Sequence, residues 1–398
     1  MANLDDFDSK ASKSSKTRKP VSKNNHGTND KIKGRKTAKK SGFAGVVAAV
    51  LPQSGDSTGE KARKAFLLFA VAALIGSLIF LGFQIFSLNS GKNTNNEIIS
   101  IAGDSVDSSL QQSYRVPQQI DNPIMTEVTS AGTEEPEYID LTPVVNTPLD
   151  IDFNALREIN PDVRAWIKIT GTLINNPVVV GTDNSYYLDH DFNGNESISG
   201  TIFSTCKNKW DGTDDNTVLF GHNMHTGEFF AYVNHYVPYD ASREPIAFYK
   251  VHPTIMMATP DGGSQTYKIF AGMVANTQPE YGEVFNYVNK TKFTDADDFN
   301  NFIIDVMDRS WFFTDVDLTY GDELLTLSTC WWPLGRDIET RWVLFARKVR
   351  EGESEYVDTS KATRNYQAKL FDYYYDIIGG SWTGSVWDKS KLLSYNGQ

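Results

Sequence analysis

Residues 65–86 form a run of 22 side chains without a charge. At about 1.5 Å of rise per residue, a helix of that length reaches roughly 33 Å, enough to cross a hydrocarbon core. A core helix of a globular domain would carry a polar stripe along one side, and none is present here. A cleaved signal peptide would have a short basic n-region and a small-residue cleavage site, whereas about sixty residues precede this run. The run therefore predicts one transmembrane helix over residues 65–87, with residues 65–86 in contact with lipid.

Charge sets the expected orientation. Residues 1–64 hold 15 Lys/Arg and 6 Asp/Glu, while the remainder holds 23 Lys/Arg and 44 Asp/Glu. The far flank of the run, residues 87–98, has Lys92 as its one basic residue. The positive-inside rule then places the N-terminus in the cytoplasm and residues from about 88 onward outside, in a single-pass protein of the cell membrane. The acidic bulk excludes nucleic acid as a main partner, because it cannot neutralise phosphates.

The span divides the chain into segments of different character. Residues 1–64 are basic, rich in Lys, Ser, Asn, Thr and Gly over most of their length, and are expected to be a disordered cytoplasmic tail. Residues 88–149 are polar, show little periodicity and suggest an extracellular stalk. Residues 150–352 are expected to be the main folded domain. Phe153, Leu156 and Ile159 fit one face of a short helix that Asp150 or Asp152 can cap. Strand signals follow at residues 166–169, 176–180, 200–203, 217–220, 254–258 and 266–274, with Asp261-Gly262-Gly263 as a hairpin turn. Phe299, Phe302, Ile303 and Val306 predict one long helix, which Thr294 can cap. The fold class is mainly β: a barrel decorated by helices. Residues 353–398 form a C-terminal extension, in which Tyr366, Leu370, Tyr374 and Ile377 predict an amphipathic helix stopped at Gly379-Gly380.

The two cysteines are Cys206 and Cys330, fewer than a disulfide-stapled secreted domain usually carries. Cys330 ends the strand-like run Leu324–Cys330, where rigid backbone would hold a thiol with its tip free. The same placement suits inert packing. A nucleophilic thiol needs a base or a cation to favour the thiolate. Of the six histidines, His222 follows the strand signal at 217–220 through Gly221, whose missing side chain permits close backbone approach. Metal chemistry has weak support. His222 and His225 are three residues apart, but no further ligand cluster lies nearby, and no metal or other cofactor is expected.

Taken together, Asn216-Thr217-Val218-Leu219-Phe220-Gly221-His222-Asn223, then Thr326-Leu327-Ser328-Thr329-Cys330, then an arginine leading the strand-like run from Trp342, resemble a sortase. The upstream strings sharpen the resemblance to class B. They are Ile159-Asn160-Pro161-Asp162-Val163-Arg164-Ala165-Trp166-Ile167, Gly171-Thr172-Leu173-Ile174-Asn175-Asn176-Pro177-Val178 and Asp183-Asn184-Ser185-Tyr186-Tyr187-Leu188. The resemblance covers roughly residues 150–350. It implies a closed β-barrel of about eight strands, with N-terminal helices and a long helix before the cysteine strand.

The resemblance also implies a membrane-bound cysteine transpeptidase. Such enzymes cleave an LPXTG-like sorting motif of secreted proteins, hold the acyl group as a thioester, and pass it to an amine of peptidoglycan precursor or of a pilin subunit. By position, Cys330 would be the nucleophile, His222 the general acid/base, and Arg341 the donor to the oxyanion or substrate carbonyl. Arg341 is preferred over Arg336 because it directly precedes the apolar strand. Asn223, Ser328, Thr329 and Trp331, beside the histidine and the cysteine, are expected to bind substrate. Cys206 stands with Thr205 where class B relatives commonly have an aspartate-tyrosine pair, so it is not expected to be a second nucleophile. Leu51-Pro52-Gln53-Ser54-Gly55 resembles a sorting motif, yet it lies on the expected cytoplasmic side and carries little functional weight. Two other functions compete: a hydrolytic cysteine peptidase, and an inactive membrane-anchored module that only binds surface proteins.

Overall fold

A computed structural model describes residues 50–105, 141–238 and 244–393. Most of the expected N-terminal tail and much of the expected stalk lie outside these residues. The described chain divides into two compact units, Met1–Phe86 and Ser87–Gln398.

The first helix, α1, spans Thr58–Ile101, and its apolar stretch is long enough to cross a membrane. Phe66, Phe69, Leu74, Ile79 and Phe86 are all exposed on it. A helix that shows large apolar side chains all round has lipid as its natural solvent. At its start Lys64 donates to the Asp56 carboxylate at 2.8 Å.

Residues 88–101 do not behave as the stalk their composition suggests. They continue α1 and bury Gly91, Asn95, Ile98 and Ile99, with Ala102 one residue beyond. These positions follow i, i+4, i+7, i+8 and i+11, the stripe of one helix face. Glycine and asparagine at the first two positions conceal that stripe from a search for apolar side chains. Ile98, Ile99 and Ala102 pack with Trp166, Val179, Tyr187, Phe192 and Phe203 in one cluster.

Helix α2 spans Phe153–Ile159, and Asp152 caps it by accepting from the Ala155 N–H at 2.9 Å. Strands β1 (Val163–Lys168), β2 (Asn175–Val180), β3 (Phe203–Ser204) and β4 (Asn216–Phe220) follow. A short helix α3 (Ala247–Val251) leads into β5 (Thr254–Thr259) and β6 (Gly263–Asn276). Thr259 pairs with Gly263 across the expected Asp261-Gly262 turn.

Helix α4 spans Ala296–Arg309 and buries Phe299, Phe302, Ile303 and Val306, the four expected positions. Its cap is Asp295, one residue after Thr294. The Asp295 carboxylate accepts from the Asp298 N–H, and Asp298 accepts in return from the Thr294 N–H. After α4 come β7 (Phe312–Phe313), β8 (Leu324–Cys330) and β9 (Thr340–Lys348).

Eight strands close into a barrel in the order β1-β2-β3-β4-β8-β9-β6-β5, and β5 pairs back onto β1. The β2/β3 and β4/β8 contacts are parallel; the others are antiparallel. Along β8 the period of two is plain. Leu325 and Leu327 join the largest apolar cluster, while Leu324 joins the cluster beneath α4 with Val218, Val343 and Phe345.

The C-terminal extension packs on the barrel, with Val357, Ala362, Ala368, Leu370, Phe371, Tyr374 and Trp387 buried. Strand β10 (Thr363–Arg364) pairs with β7, and Leu318 bridges to Leu392. The expected helix from Tyr366 shrinks to α5, Asp372–Ile378, ending at Gly379 with φ of 80°. The preceding turn is held open instead by the Leu370 N–H, which donates to the Tyr375 hydroxyl at 3.1 Å.

At the end of the β8/β9 ladder remote from Cys330, the Arg347 side chain is 1% exposed. It donates to Asp317 at 2.8 Å and to both Glu353 oxygens, at 2.6 and 2.8 Å. Burial pushes the Glu353 carboxyl up, but Arg347 and Lys268 outweigh it and hold the group well below the usual carboxylate range. A depressed carboxyl pKa adds stability above the unfolded pKa and loses it as the pH falls toward the folded one. Arg347→Met should therefore cost about 3 kcal/mol in urea unfolding at pH 7, because it strands buried acids. Glu353→Gln should also destabilise at pH 7, and its deficit should narrow once the pH drops below about 4.

Candidate active site

The site forms where three neighbouring strands end together. β4 runs parallel to β8, with Phe220 opposite Ser328. β4 ends at Phe220, the Gly221 N–H still donates to the Ser328 carbonyl at 3.3 Å, and His222 follows directly. On the other side of β8, Cys330 is directly paired with Arg341 of β9. The β8/β9 ladder thus sets Cys330 beside Arg341, and His222 follows the end of the neighbouring strand β4. Arg336 is elsewhere: its guanidinium lies over the Trp332 ring at 5.1 Å.

His222 is held from two directions. Its Nε2 donates to the Leu188 carbonyl at 2.7 Å, and its own carbonyl accepts from the Phe230 N–H at 3.0 Å. A carbonyl can only accept, so Nε2 carries the proton in the neutral ring and Nδ1 keeps a lone pair. The turn beyond the histidine closes through an Asn223–Phe229 bridge, with Phe229 at φ of 56°. A buried phenylalanine in the left-handed region is strained, so the surrounding contacts must fix this turn. Gly221 is needed before the histidine, because a Cβ there would meet the Phe230 ring at 2.8 Å.

The backbone of Cys330 is equally constrained. Its carbonyl accepts from Asn223 Nδ2 at 3.1 Å and from Asn234 Nδ2 at 3.2 Å. Ser328 and Thr329 are buried, with their hydroxyls engaged inside the protein. Ser328 Oγ shares a 2.8 Å hydrogen bond with the Tyr287 hydroxyl, and Thr329 Oγ1 donates to the Gly221 carbonyl at 2.8 Å. Trp331 is half-buried and meets Trp311 and Trp342 edge to face, with centroids at 5.4 and 5.7 Å.

Burial pushes the Cys330 thiol up; Arg341 pulls it down, and Glu339 pushes it up again. Glu339 does so while holding Arg341, whose Nη2 donates to the Glu339 carboxylate. Burial also raises the Tyr287 phenol, while Ser328 and Arg341 lower it and Cys330 raises it. The thiol therefore lies among Arg341 and Glu339 around the start of β9 and Tyr287 from the segment before α4.

The other polar candidates serve elsewhere. Cys206 and Cys330 are both free thiols, and the Cys206 N–H donates to Asn184 Oδ1. His225 is exposed, His252 Nδ1 donates to the Thr170 carbonyl, and burial lowers His235 to about 4. Among the described residues, no group of three or more His, Cys, Asp and Glu stands close enough to hold a metal ion.

Sequence reasoning missed Asn234, Tyr287 and Glu339. Asn234, 2% exposed, sits in the apolar run Ala231-Tyr232-Val233-Asn234, and an amide in such a run is a usable signal of buried hydrogen bonding. Tyr287 and Glu339 carry no comparable mark, since only the closed barrel brings them to the thiol.

With this geometry in place, comparisons with known proteins agree on one family. The family model described as "Sortase domain" matches residues 167–349. Sortase B of Staphylococcus aureus is 30% identical over 178 residues, covering 45% of this chain and 67% of that protein. Sortase B of Listeria monocytogenes is 29% identical over 186 residues, covering 47% and 70%. The crystal structure of Clostridium perfringens sortase B is 32% identical, covering 50% of this chain and 100% of that one, with a TM-score of 0.43.

The opposing influences of Arg341 and Glu339 give a direct test. In a Cys206→Ala background, the rate of Cys330 alkylation by iodoacetamide should keep rising with pH above the usual thiol range. Glu339→Gln should move that profile to lower pH, and Arg341→Met should move it to higher pH.

Proposed function

The chain belongs to the sortase family of cysteine transpeptidases, in its class B, and on that premise we propose the following division of labour. Cys330 is the nucleophile, His222 the general acid/base, and Arg341 the group that stabilises the oxyanion. The observation that carries this reading is the register: Cys330 is paired with Arg341 on one side, and on the other the parallel neighbour β4 ends two residues before His222.

The Cys330 thiol gives its proton to His222 Nδ1, and the thiolate attacks the scissile carbonyl of an LPXTG-like motif in a secreted protein. A C–S bond forms, and negative charge gathers on the carbonyl oxygen. The Arg341 guanidinium stabilises that charge, a contribution of about 3 kcal/mol in a shielded site. As the C–N bond breaks, protonated His222 gives its Nδ1 proton to the departing amine. The thioester then meets an incoming amine of peptidoglycan precursor or of a pilin subunit. His222 takes that amine's proton, the C–S bond breaks, and a new amide leaves with the thiolate restored. Asn223 and Trp331 border the substrate, while Ser328 and Thr329 support the strand end from inside. α1 anchors the enzyme in the cell membrane, with the catalytic domain outside.

Trapping the acyl-enzyme tests the assignment. The full-length protein in detergent is incubated with a panel of sorting-motif peptides, and the adduct is sought by mass on Cys330. Cys330→Ala should lose turnover by at least about 10³-fold, and His222→Ala by about 10²–10⁴-fold. Cys206→Ala should stay within about twofold, as expected of a surface change remote from the mechanism. With triglycine present, the product should be the ligated peptide. Hydrolysed peptide alone would make this a peptidase, and full activity in Cys330→Ala would leave only a binding module.

A further inference from the structure

The catalytic histidine of the proposal above is held by two segments, and both are in turn held by residues 91–99 of α1. The first segment is the chain from Tyr187 to Gly200, which supplies the Leu188 carbonyl to His222 Nε2. Tyr187 and Phe192 from this segment pack in one cluster with Ile98 and Ile99. Thr94 Oγ1 donates to the Asp191 carboxylate at 3.4 Å. Gly91 lies so close that a Cβ there would meet Ser199 Oγ at 2.8 Å and Ser197 Oγ at 3.1 Å. Asn95 Oδ1 accepts from Asn176 Nδ2 at 2.7 Å, with both amides buried.

The second segment is the strained turn from Asn223 to Phe229. Glu228 within it is 5% exposed, and its Oε1 makes no hydrogen bond. Lys92 Nζ stands 3.8 Å from that oxygen, and this is the one ion pair recorded for Glu228 among the described residues. A buried carboxylate without hydrogen bonds is costly unless a cation compensates it. Glu228 is adjacent to Phe229 and two residues before Phe230, whose N–H binds the His222 carbonyl. A shift of this carboxylate would thus be passed directly to the residues that hold the His222 backbone.

We infer that residues 91–99 of α1 act as a clamp that sets the position of His222, with Lys92 and Glu228 as positioning residues. Neither side chain takes part in the chemistry. Without the ammonium, the Glu228 carboxylate turns toward solvent and draws the Asn223–Phe229 turn and the imidazole with it. This inference rests on the acid/base role of His222.

The test uses the full-length protein in detergent, with triglycine and the sorting-motif peptide that acylates Cys330. Lys92→Met should lower kcat about 10- to 100-fold, the scale on which a small misplacement of a catalytic group acts. KM for the peptide and the alkylation rate of Cys330 should stay within about twofold of the parent's. Lys92→Arg should retain activity. The double variant Lys92→Met with Glu228→Gln should recover most of kcat, because it removes the stranded charge while keeping the side chain's shape. A normal kcat in Lys92→Met overturns the inference. So does a joint loss of kcat, KM, thiol reactivity and thermal stability, or a failure of the double variant to recover. His222→Ala is measured in parallel. If it remains active, the acid/base assignment falls and the clamp with it; if it is inactive while Lys92→Met is unaffected, the clamp alone falls.

Discussion

The hydrogen-bond ladder that joins β4, β8 and β9 is the constraint on which the rest of the site depends. An antiparallel contact on one edge of β8 pairs Cys330 with Arg341, and a parallel contact on the other edge carries β4 to Phe220, two residues before His222. Loops could offer the same three side chains, but loops move, and acyl transfer tolerates little misplacement. Here the backbone of each residue is fixed before any side chain is considered. Asn223 and Asn234 reinforce the ladder by binding the Cys330 carbonyl just where regular pairing ends.

A second constraint is electrostatic. The thiol sits among groups that pull in opposite directions, since Arg341 favours the thiolate while burial and Glu339 oppose it. Glu339 is itself fixed by the neighbouring segment: its N–H donates to Gln278 Oε1 at 2.8 Å and its carbonyl accepts from Thr277 Oγ1 at 2.7 Å. The arginine is thus oriented by an acid that weakens its effect on the sulfur. Such an arrangement favours charge most strongly when a substrate carbonyl supplies a new acceptor for the guanidinium.

Much of this was legible in the sequence. The uncharged run at 65–86, the hairpin glycines, the spacing of Phe299, Phe302, Ile303 and Val306, and the thiol at a strand end all follow from local pattern. The apolar strand led by Arg341 was legible too, and the structure pairs that residue with Cys330. The misses have physical causes. Residues 88–101 bury a glycine and an asparagine on the face that packs, so their helical stripe looks polar. The extension after Tyr366 spaces its aromatics as a helix would, yet buries Ala368 and Leu370 in an irregular turn and delays α5 to Asp372. Tyr287 and Glu339 meet the thiol only through long-range closure, which local pattern does not encode.

The burial of Cys330 has a bearing on survival as well as on catalysis. Peroxides attack the thiolate and spare the thiol, and sulfinic acid, once formed, is not returned to sulfur by ordinary thiols. Burial and Glu339 both favour the protonated sulfur, the form that offers oxidants the poorer target. Cys206 gives it no protecting disulfide, since both sulfurs are free. On the proposed placement outside the cell, where no reducing pool repairs damage, the same burial that disfavours the thiolate also slows its oxidation.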